Sequence, residues 1–249
     1  MILGIDISRW QNIVSTPQYM DFHKAREQGA QFVFIKASQA CWMDRDFTMN
    51  WDNARRAGLL RGAYHYMDWT RPAVEQANFF WGVLQADRGE LPPVLDYECR
   101  VNPLDAGKMR QYCIDFLRQI ESKIGRPPIL YTSPGYWAQY GSPDVAWLKF
   151  PLWLAHYYTN TPRVPLPWKA YTFWQYTDVG DGLAYGAESK ELDLDWYNGT
   201  REQLFTFAGI NEVPLPEIPP ALDKLARLDE IDRVIKYVLN RRKEVEEGT

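Results

Sequence analysis

Residues 91–98 read L-P-P-V-L-D-Y-E, a short apolar run that ends in two carboxylates. Two prolines open the run and two aliphatic residues continue it, which is typical of a buried strand. Because side chains two residues apart on a strand point to the same side, we expect Asp96 and Glu98 to face one way and Tyr97 the other. At a rise of about 3.3 Å per residue, the two acidic Cα atoms would lie roughly 6.5–7 Å apart.

The spacing of these two carboxylates indicates acid–base chemistry. A like charge nearby disfavours ionisation of both groups, so one of them can stay protonated near neutral pH and act as a general acid. Hydrolysis of a glycosidic bond uses such a pair. The alternative is that Asp96 and Glu98 are solvated strand-end residues or salt-bridge partners, which is the commoner meaning of an isolated D-x-E. The rest of the chain has to distinguish the two interpretations.

Length, composition and charge restrict the class of protein. The chain has 249 residues, 46% of them hydrophobic, which suits one large domain or one domain with an appendage. Aromatic residues make up 15% of the chain. Aromatic faces in clefts bind sugar rings, although most Trp and Tyr side chains are core residues. The formal net charge is −4 and no Lys/Arg block precedes the C-terminal tail, so nucleic acid is not an expected partner.

The cysteines and histidines favour neither a disulfide framework nor a metal site. Three of each are scattered along the chain without metal-ligand spacing. No apolar run approaches the length of about 18 residues that a membrane span needs. The first residues lack the features of a secretory signal peptide. We therefore expect a protein without a disulfide framework or a zinc site, made in the cytoplasm, whose export route the sequence leaves open.

Strand and helix patterns alternate along most of the chain. Strands are predicted at residues 2–7, 31–37, 60–66, 91–98, 128–132, 151–157, 171–176 and 191–197, and helices at 19–28, 50–57, 73–85, 103–124 and 133–140. The alternation weakens to strand and loop in the second half. The predicted fold class is α/β, an irregular TIM-like (β/α) barrel with fewer helices than strands. Acidic residues gather at strand ends, where such barrels keep their chemistry.

Three polar residues on the early strands have a structural and a functional interpretation. Asp6 ends the first strand, which is an active-site position in a barrel but also suits a turn or a helix cap. Lys36 ends the second strand and needs an acidic neighbour, because an unpaired buried ammonium is costly; Asp6 is a candidate. His65 points away from the tyrosines of its strand and is predicted to be a hydrogen-bonded structural histidine.

The composition changes at residue 211. Residues 211–220 are rich in proline and are predicted to form a stiff linker. Residues 221–249 repeat an apolar residue every three or four positions among charged ones, which predicts an amphipathic helix. Such a helix cannot bury its stripe alone. It would dock on residues 1–210, the predicted catalytic barrel, or associate with copies of itself through residues 221–243, or bind another partner.

Nine short motifs, taken in order, resemble glycoside hydrolase family 25, the lysozymes or N-acetylmuramidases often found as phage endolysins. They are G-I-D-I-S-R-W-Q at 4–11, F-I-K-A at 34–37, D-R-D-F at 44–47, A-G-L-L-R-G-A-Y-H-Y at 57–66, L-D-Y-E at 95–98, I-L-Y-T-S at 129–133, P-L-W-L-A-H-Y at 151–157, F-W-Q-Y at 173–176 and L-D-L-D-W-Y-N-G at 192–199. Each motif alone is weak. The ordered set is specific and covers roughly residues 1–205.

The resemblance implies an activity and a set of site residues. The family cleaves the β-1,4 bond from N-acetylmuramic acid to N-acetylglucosamine in peptidoglycan with retention, and uses no metal or cofactor. By resemblance Glu98 is the general acid/base, Asp96 is its charged neighbour, and Asp6 and Asp193 are the other two acidic residues. The implied substrate-binding residues are Lys36, Tyr64, Tyr131, Trp153, Tyr157 and Gln175. Whether Asp96 attacks directly or orients the substrate's own N-acetyl group stays open, and we favour the second mechanism.

This chain departs from the family at Asp195, where a neutral residue is common. We expect the Asp195 side chain to face outward as a cap or turn residue, because Asp193 already occupies the matched position.

The predicted function is that of a peptidoglycan hydrolase of a phage or prophage that acts on the bacterial cell wall. Two other functions are alternatives to it. One is a catalytically weak cell-wall-binding module, against which the presence of both Asp96 and Glu98 argues. The other is a hydrolase of chitin-like chains, against which the missing acidic run before Glu98 argues.

Overall fold

The computed structural model describes residues 1–12, 20–99 and 105–210. The predicted linker at 211–220 and the predicted amphipathic helix at 221–249 lie outside the described residues, so the expected self-association stays a prediction.

The described segments alternate strands and helices in the order the patterns predict. The strands are β1 Ile2–Ile7, β2 Phe32–Gln39, β3 Trp42–Met43, β4 Leu60–Tyr66, β5 Val94–Asp96, β6 Ile129–Thr132, β7 Leu152–Ala155, β8 Phe173–Asp181 and β9 Glu191–Tyr197. The α-helices are α1 Phe22–Glu27, α2 Phe47–Arg56, α3 Ala73–Leu84, α4 Ala106–Ile124, α5 Pro134–Tyr140 and α6 Arg201–Phe207, and two 3-10 helices span Arg9–Gln11 and Val145–Lys149.

Eight of the described strands close a barrel in the order β1-β2-β4-β5-β6-β7-β8-β9, with β9 pairing back to β1. The strands from β1 to β8 in this ring run parallel, and β9 is antiparallel to both of its neighbours. The described residues contain six α-helices, fewer than the strands of the ring. The prediction of an irregular TIM-like barrel is therefore confirmed.

Besides the two 3-10 helices, one strand and one α-helix among the described elements were not predicted. Strand β3 has only two residues, too few for a periodic pattern, and pairs with the end of β2 as a hairpin outside the ring. Helix α6 is also short, and its start is fixed by a capping box in which Thr200 and Gln203 satisfy each other's backbone N–H groups. Both elements depend on local turn and cap chemistry and not on a long apolar repeat.

The outer face of the strands packs on the helices, and the inside of the barrel is filled by aromatic rings. Phe34 stacks on Trp153 with ring centroids 4.3 Å apart, and Phe173 meets Phe34 edge-on at 5.0 Å. Room for the Phe34 ring comes from Gly62 on the next strand, where an added Cβ would lie 2.4 Å from that ring. The packed aromatic layer fills the barrel interior below its carboxyl end, the end at which such barrels bind their ligands.

Among the described residues, no helix combines the length and apolar character needed to cross a bilayer.

Candidate active site

Four acidic residues predicted for the site meet at the carboxyl end of the parallel strands. Asp6 is near the end of β1, Asp96 is the last residue of β5, and Glu98 follows two residues later. Asp193 lies near the start of β9. Because β9 runs antiparallel, its first residues reach the same end of the barrel, and Asp193 pairs in register with Asp6.

Asp96 and Glu98 are electrostatically coupled. Asp96 is buried, and the pKa of its carboxyl is raised well above the usual value, first by burial and then by the Glu98 charge, while Lys36 acts in the opposite direction. Glu98 is half-buried. Tyr97 is fully buried on the other side of the strand, where it packs edge-on against Tyr136 with ring centroids 5.0 Å apart. Tyr97 thus points away from Asp96 and Glu98 as predicted, although β5 ends at Asp96 and not at residue 98.

One oxygen of Asp96 lacks a partner. Oδ1 is buried, and no described residue forms a hydrogen bond with it. A buried carboxylate oxygen without a donor is costly. This atom is therefore able to accept a hydrogen bond from a ligand in the mouth.

Asp6 is held by a chain of hydrogen bonds across the barrel. Gln175 donates from Nε2 to Asp6 Oδ2 at 2.6 Å. The hydroxyls of Tyr131 and Tyr157 donate to Gln175 Oε1 at 2.7 and 2.6 Å. Two donors on its oxygen fix the orientation of the amide, so its N–H groups face Asp6. The pKa of Asp6 is raised well above the usual value by burial and by the charges of Asp193 and Asp195.

The expectation that Asp195 faces outward is wrong. Its side chain is fully buried inside the barrel, and its Oδ1 accepts a hydrogen bond of 2.7 Å from Trp153 Nε1. Burial, and then Asp193, raise the pKa of Asp195 to about 8, although the hydrogen bond from Trp153 acts against this. The reason is strand geometry, because residues two apart share a side and Asp195 follows Asp193 inward. The same two-residue period that places Asp96 and Glu98 on one side of a strand places Asp195 on the inner side with Asp193.

The proposed pairing of Lys36 with Asp6 is also wrong. The carboxylates that stabilise the Lys36 ammonium are Asp96, Asp44 and Glu98, while burial lowers its pKa. Lys36 Nζ also donates to Gln39 Oε1 at 2.9 Å. Lys36 therefore belongs to the Asp96–Glu98 half of the mouth.

His65 is structural, as predicted. It lies on the outer face of β4 with no exposed surface, and its ring nitrogens contact Ser38 Oγ at 2.8 Å and Gln76 Oε1 at 3.0 Å. Burial lowers its pKa to about 4. The ring is neutral near pH 7 and outside the mouth.

Two cavities adjoin Glu98. One, of about 360 Å³, is lined by residues that include Tyr157, His156 and Arg163. The other, of about 500 Å³, lies between Glu98 and helix α5, where Tyr136 and Tyr140 line it. Their combined size suits a carbohydrate ligand.

The six predicted substrate-binding residues occupy two depths. Tyr157 lines the cavity beside Glu98. Lys36, Tyr64, Tyr131 and Gln175 are buried at 8%, 9%, 6% and 3% exposure and form the floor. Trp153 is deeper, at 2% exposure, and its indole contacts Asp195 and Phe34. A direct contact of Trp153 with substrate stays a prediction, and the structure places it beneath the carboxylates.

In the described part of the chain, no group of three His, Cys, Asp or Glu side chains is arranged to hold a metal ion.

A coupled Asp–Glu pair and further carboxylates at an open cleft are the arrangement that glycoside hydrolases use. Residues 5–183 match the model of glycosyl hydrolases family 25. The chain belongs to this family and is a glycoside hydrolase of the lysozyme, or muramidase, class.

The relatives include an uncharacterized protein and two lysozymes. Over 228 residues the chain is 35% identical to the uncharacterized protein YegX of Escherichia coli K12, covering 86% of this chain and 76% of YegX. It is 31% identical to lysozyme M1 of Streptomyces globisporus, covering 83% of this chain and 71% of that enzyme. The crystal structure of the lysozyme from Streptomyces coelicolor superimposes with a TM-score of 0.73 at 27% identity, covering 85% of this chain and 98% of that one.

Proposed function

We propose that this protein hydrolyses the β-1,4 bond between N-acetylmuramic acid and N-acetylglucosamine in bacterial peptidoglycan, with retention of configuration. The observation that carries the proposal is the unequal Asp96–Glu98 pair. Glu98 borders the cavities, whereas Asp96 is buried and keeps one oxygen without a described partner. A leaving-group acid needs access to the bond, and a stabilising carboxylate needs a fixed position.

The reaction begins with protonation of the glycosidic oxygen by the Glu98 carboxyl. The carbonyl oxygen of the muramic acid acetamido group attacks C1 as the C1–O bond breaks, and N-acetylglucosamine leaves with a free 4-hydroxyl. Asp96 Oδ1 accepts the acetamido N–H and stabilises the developing positive charge. The Glu98 carboxylate then removes a proton from the water that opens the cyclic intermediate at C1. Two inversions at C1 give retention.

Asp6 and Asp193 shape the other half of the mouth in this proposal. The Gln175 amide holds Asp6, and burial, with the charges of Asp178 and Glu98, raises the pKa of Asp193 to about 7. Groups that are neutral part of the time can donate hydrogen bonds to sugar hydroxyls and avoid excess negative charge. Tyr64, Tyr131, Tyr157 and Lys36 would contact the sugar bound there.

The decisive experiment is mass spectrometry of purified bacterial wall after digestion. We expect new reducing ends on N-acetylmuramic acid. Reducing ends on N-acetylglucosamine would contradict the bond assignment, and digestion of chitin in preference to wall would favour the chitinase alternative. No release from either polymer by folded protein would favour the binding module.

The mechanism has its own test. A thiazoline analogue of the cyclic intermediate should inhibit competitively if the acetamido group is the nucleophile. A covalent sugar adduct on Asp96, found by peptide mass mapping, would instead show direct attack.

We further propose that the enzyme serves a phage or prophage, as its family resemblance suggests. A holin gene beside the coding sequence would support this, and a locus without phage genes would contradict it.

A further inference from the structure

Two exposed indoles and an arginine form a surface at the mouth that the acid–base chemistry does not use. Trp10 is 68% exposed and Trp42 is 36% exposed. The Arg9 guanidinium lies over both rings, with Cζ 4.9 Å from the Trp10 centroid and 5.0 Å from the Trp42 centroid. We name Arg9, Trp10 and Trp42 the indole–arginine patch. Large aromatic side chains this exposed beside a cleft are typical of a binding surface.

The backbone, more than side-chain packing, holds this patch in place. Trp10 lies in the 3-10 helix Arg9–Gln11, and its N–H donates to Ser8 Oγ at 3.2 Å. The Arg9 N–H donates to Asp44 Oδ2 at 3.4 Å. Trp42 is on the β3 hairpin, which turns at Ala40 with φ of 47°. The rings are therefore presented on ordered elements without being buried by them.

The patch lies across the mouth from the 360 Å³ cavity. The patch follows β1 and β2, whereas the 360 Å³ cavity follows β6 and β7. In the eight-strand ring, β1 is four positions from β6 and β2 is four positions from β7. A chain of sugars running from the cavities across the carboxylates would reach the patch. A polymeric substrate needs such an extended surface.

The charge of the patch suits an acidic ligand. None of the ion pairs found among the described residues includes the Arg9 side chain. Lys36 lies beside it, with Nζ 5.7 Å from the Trp42 centroid, and Arg9 is one of the groups that lower the pKa of Lys36. Two cations are thus close together at the edge of a mouth that is otherwise acidic. Arginine binds carboxylates through paired N–H donors.

We propose that the indole–arginine patch is a distal saccharide subsite that binds a sugar carrying a carboxylate. The indoles contact the C–H face of the ring, and Arg9 pairs with the carboxylate. This inference rests on the proposed function, since peptidoglycan supplies such groups from two sources. One is the lactyl ether of muramic acid in peptide-free strands, and the other is the peptide stem.

Binding can be measured without turnover in the Glu98→Gln background. Three ligands are titrated by calorimetry: neutral chito-oligosaccharide, peptide-free glycan oligomers and peptide-bearing glycan oligomers. We expect Trp10→Ala to weaken the affinity for all three ligands by roughly 2- to 10-fold. Arg9→Gln should weaken the affinity for carboxylate-bearing ligands by roughly 10-fold and the affinity for the neutral ligand by less than about 2-fold. A loss on peptide-free oligomers assigns the lactyl carboxylate, and a loss on peptide-bearing oligomers alone assigns the stem.

A matched control is present at the end of helix α3, where Trp81 lies in the helix and Arg88 follows it. Arg88 lies over Trp81 at 4.8 Å, and α3 ends toward the amino end of the barrel, away from the mouth. Trp81→Ala and Arg88→Gln should leave all three affinities unchanged, and thermal unfolding verifies that each variant is folded.

Kinetics of the otherwise native enzyme separates this inference from the proposed function. Trp10→Ala should raise KM while kcat changes by less than about 2-fold, because the lost contact is equal in ground and transition states. Unchanged KM and affinity in both patch variants, with normal wall cleavage by the native protein, would overturn the subsite alone. If Arg9→Gln lowers the affinities for neutral and acidic ligands equally, the carboxylate assignment would be overturned. Failure of the native protein to release muramic acid ends would overturn the proposed function, and the affinities would still decide the subsite.

Discussion

Asp96 and Glu98 lie two residues apart but have different surroundings. Asp96 is 6% exposed and belongs to the floor with Lys36. Glu98 lies beyond the end of β5, borders both cavities and is more accessible. In the proposed mechanism Glu98 transfers the proton because it borders the cavities, and Asp96 stabilises positive charge because the Lys36 ammonium beside it favours its charged form. The two side chains differ in accessibility because β5 ends at Asp96, before Glu98.

Replacement of Glu98 tests this division of roles between the two carboxyls. Glu98→Gln should lower kcat on soluble glycan oligomers by at least ~100-fold, the usual scale for loss of a general acid. Asp96→Asn should also lower kcat severely. Glu191→Gln, at an exposed acid in β9, is the control and should keep native activity. Thermal unfolding checks the fold, and near-native turnover by Glu98→Gln would remove the assignment.

Asp195 makes stability depend on pH. Its pKa is raised to about 8 in the folded protein, against about 3.9 in the unfolded chain. Between these values the folded state binds more protons than the unfolded state, so stability falls as pH rises. The contribution of the Asp195 carboxyl to stability is fully present below about pH 4, and it is lost as the pH rises through about 8.

The Asp195→Asn variant should remove this dependence, because the amide keeps an acceptor for Trp153 and never ionises. We expect the excess of its Tm over that of the native protein to be larger at pH 8 than at pH 5 by at least ~3 °C, because the effect of the Asp195 charge on stability grows between about pH 4 and pH 8. Differential scanning calorimetry at both pH values measures the difference. An equal change at both would mean that packing, not charge, is altered.

At the scale of elements, β9 is the strand that makes this barrel irregular and also supplies its extra acids. Its antiparallel direction brings Asp193 and Asp195 to the side of Asp6 and Gly4, their register partners on β1. A parallel strand would place the start of the segment at the opposite end of the barrel. The reversed strand therefore contributes two inward carboxylates close to the mouth.

Two glycines test how closely the strands fill the barrel. An added Cβ at Gly62 of β4 would lie 2.4 Å from the Phe34 ring, whereas at Gly82 of α3 it would meet nothing within 4 Å. Gly62→Ala should lower the free energy of unfolding by about 1–3 kcal/mol through overpacking. Gly82→Ala should raise it by about 0.5–1 kcal/mol through helix propensity. Urea unfolding measures both, and equal effects would contradict the packing of the Phe34 layer.

At the scale of the whole molecule, the residues proposed for catalysis all precede residue 211. A form ending at Asn211 should therefore be monomeric and keep the full-length kcat on soluble glycan oligomers. Light scattering compares its mass with that of the full-length protein. A larger assembly for the full-length chain alone would support self-association through residues 221–243, and monomers in both would eliminate it.

Much of the architecture was readable in the sequence because it is local or periodic. Apolar runs and amphipathic stretches predicted the barrel strands and most helices. The inward pair Asp96 and Glu98, with Tyr97 outward, follows from the two-residue period of a strand. His65 was separable from the site by the same alternation.

Only the tertiary structure decided which charges meet. Lys36 could have faced either neighbouring strand, and the bulge after it in β2 and the closure of the ring bring it to Asp96, Asp44 and Glu98 instead of Asp6. Asp195 acquires its raised pKa only when β9 closes the barrel over Trp153 and Asp6. The alternation of side chains along one strand can be predicted from the sequence of that strand. Electrostatic coupling between side chains depends instead on distances between strands, which are set only when the ring closes.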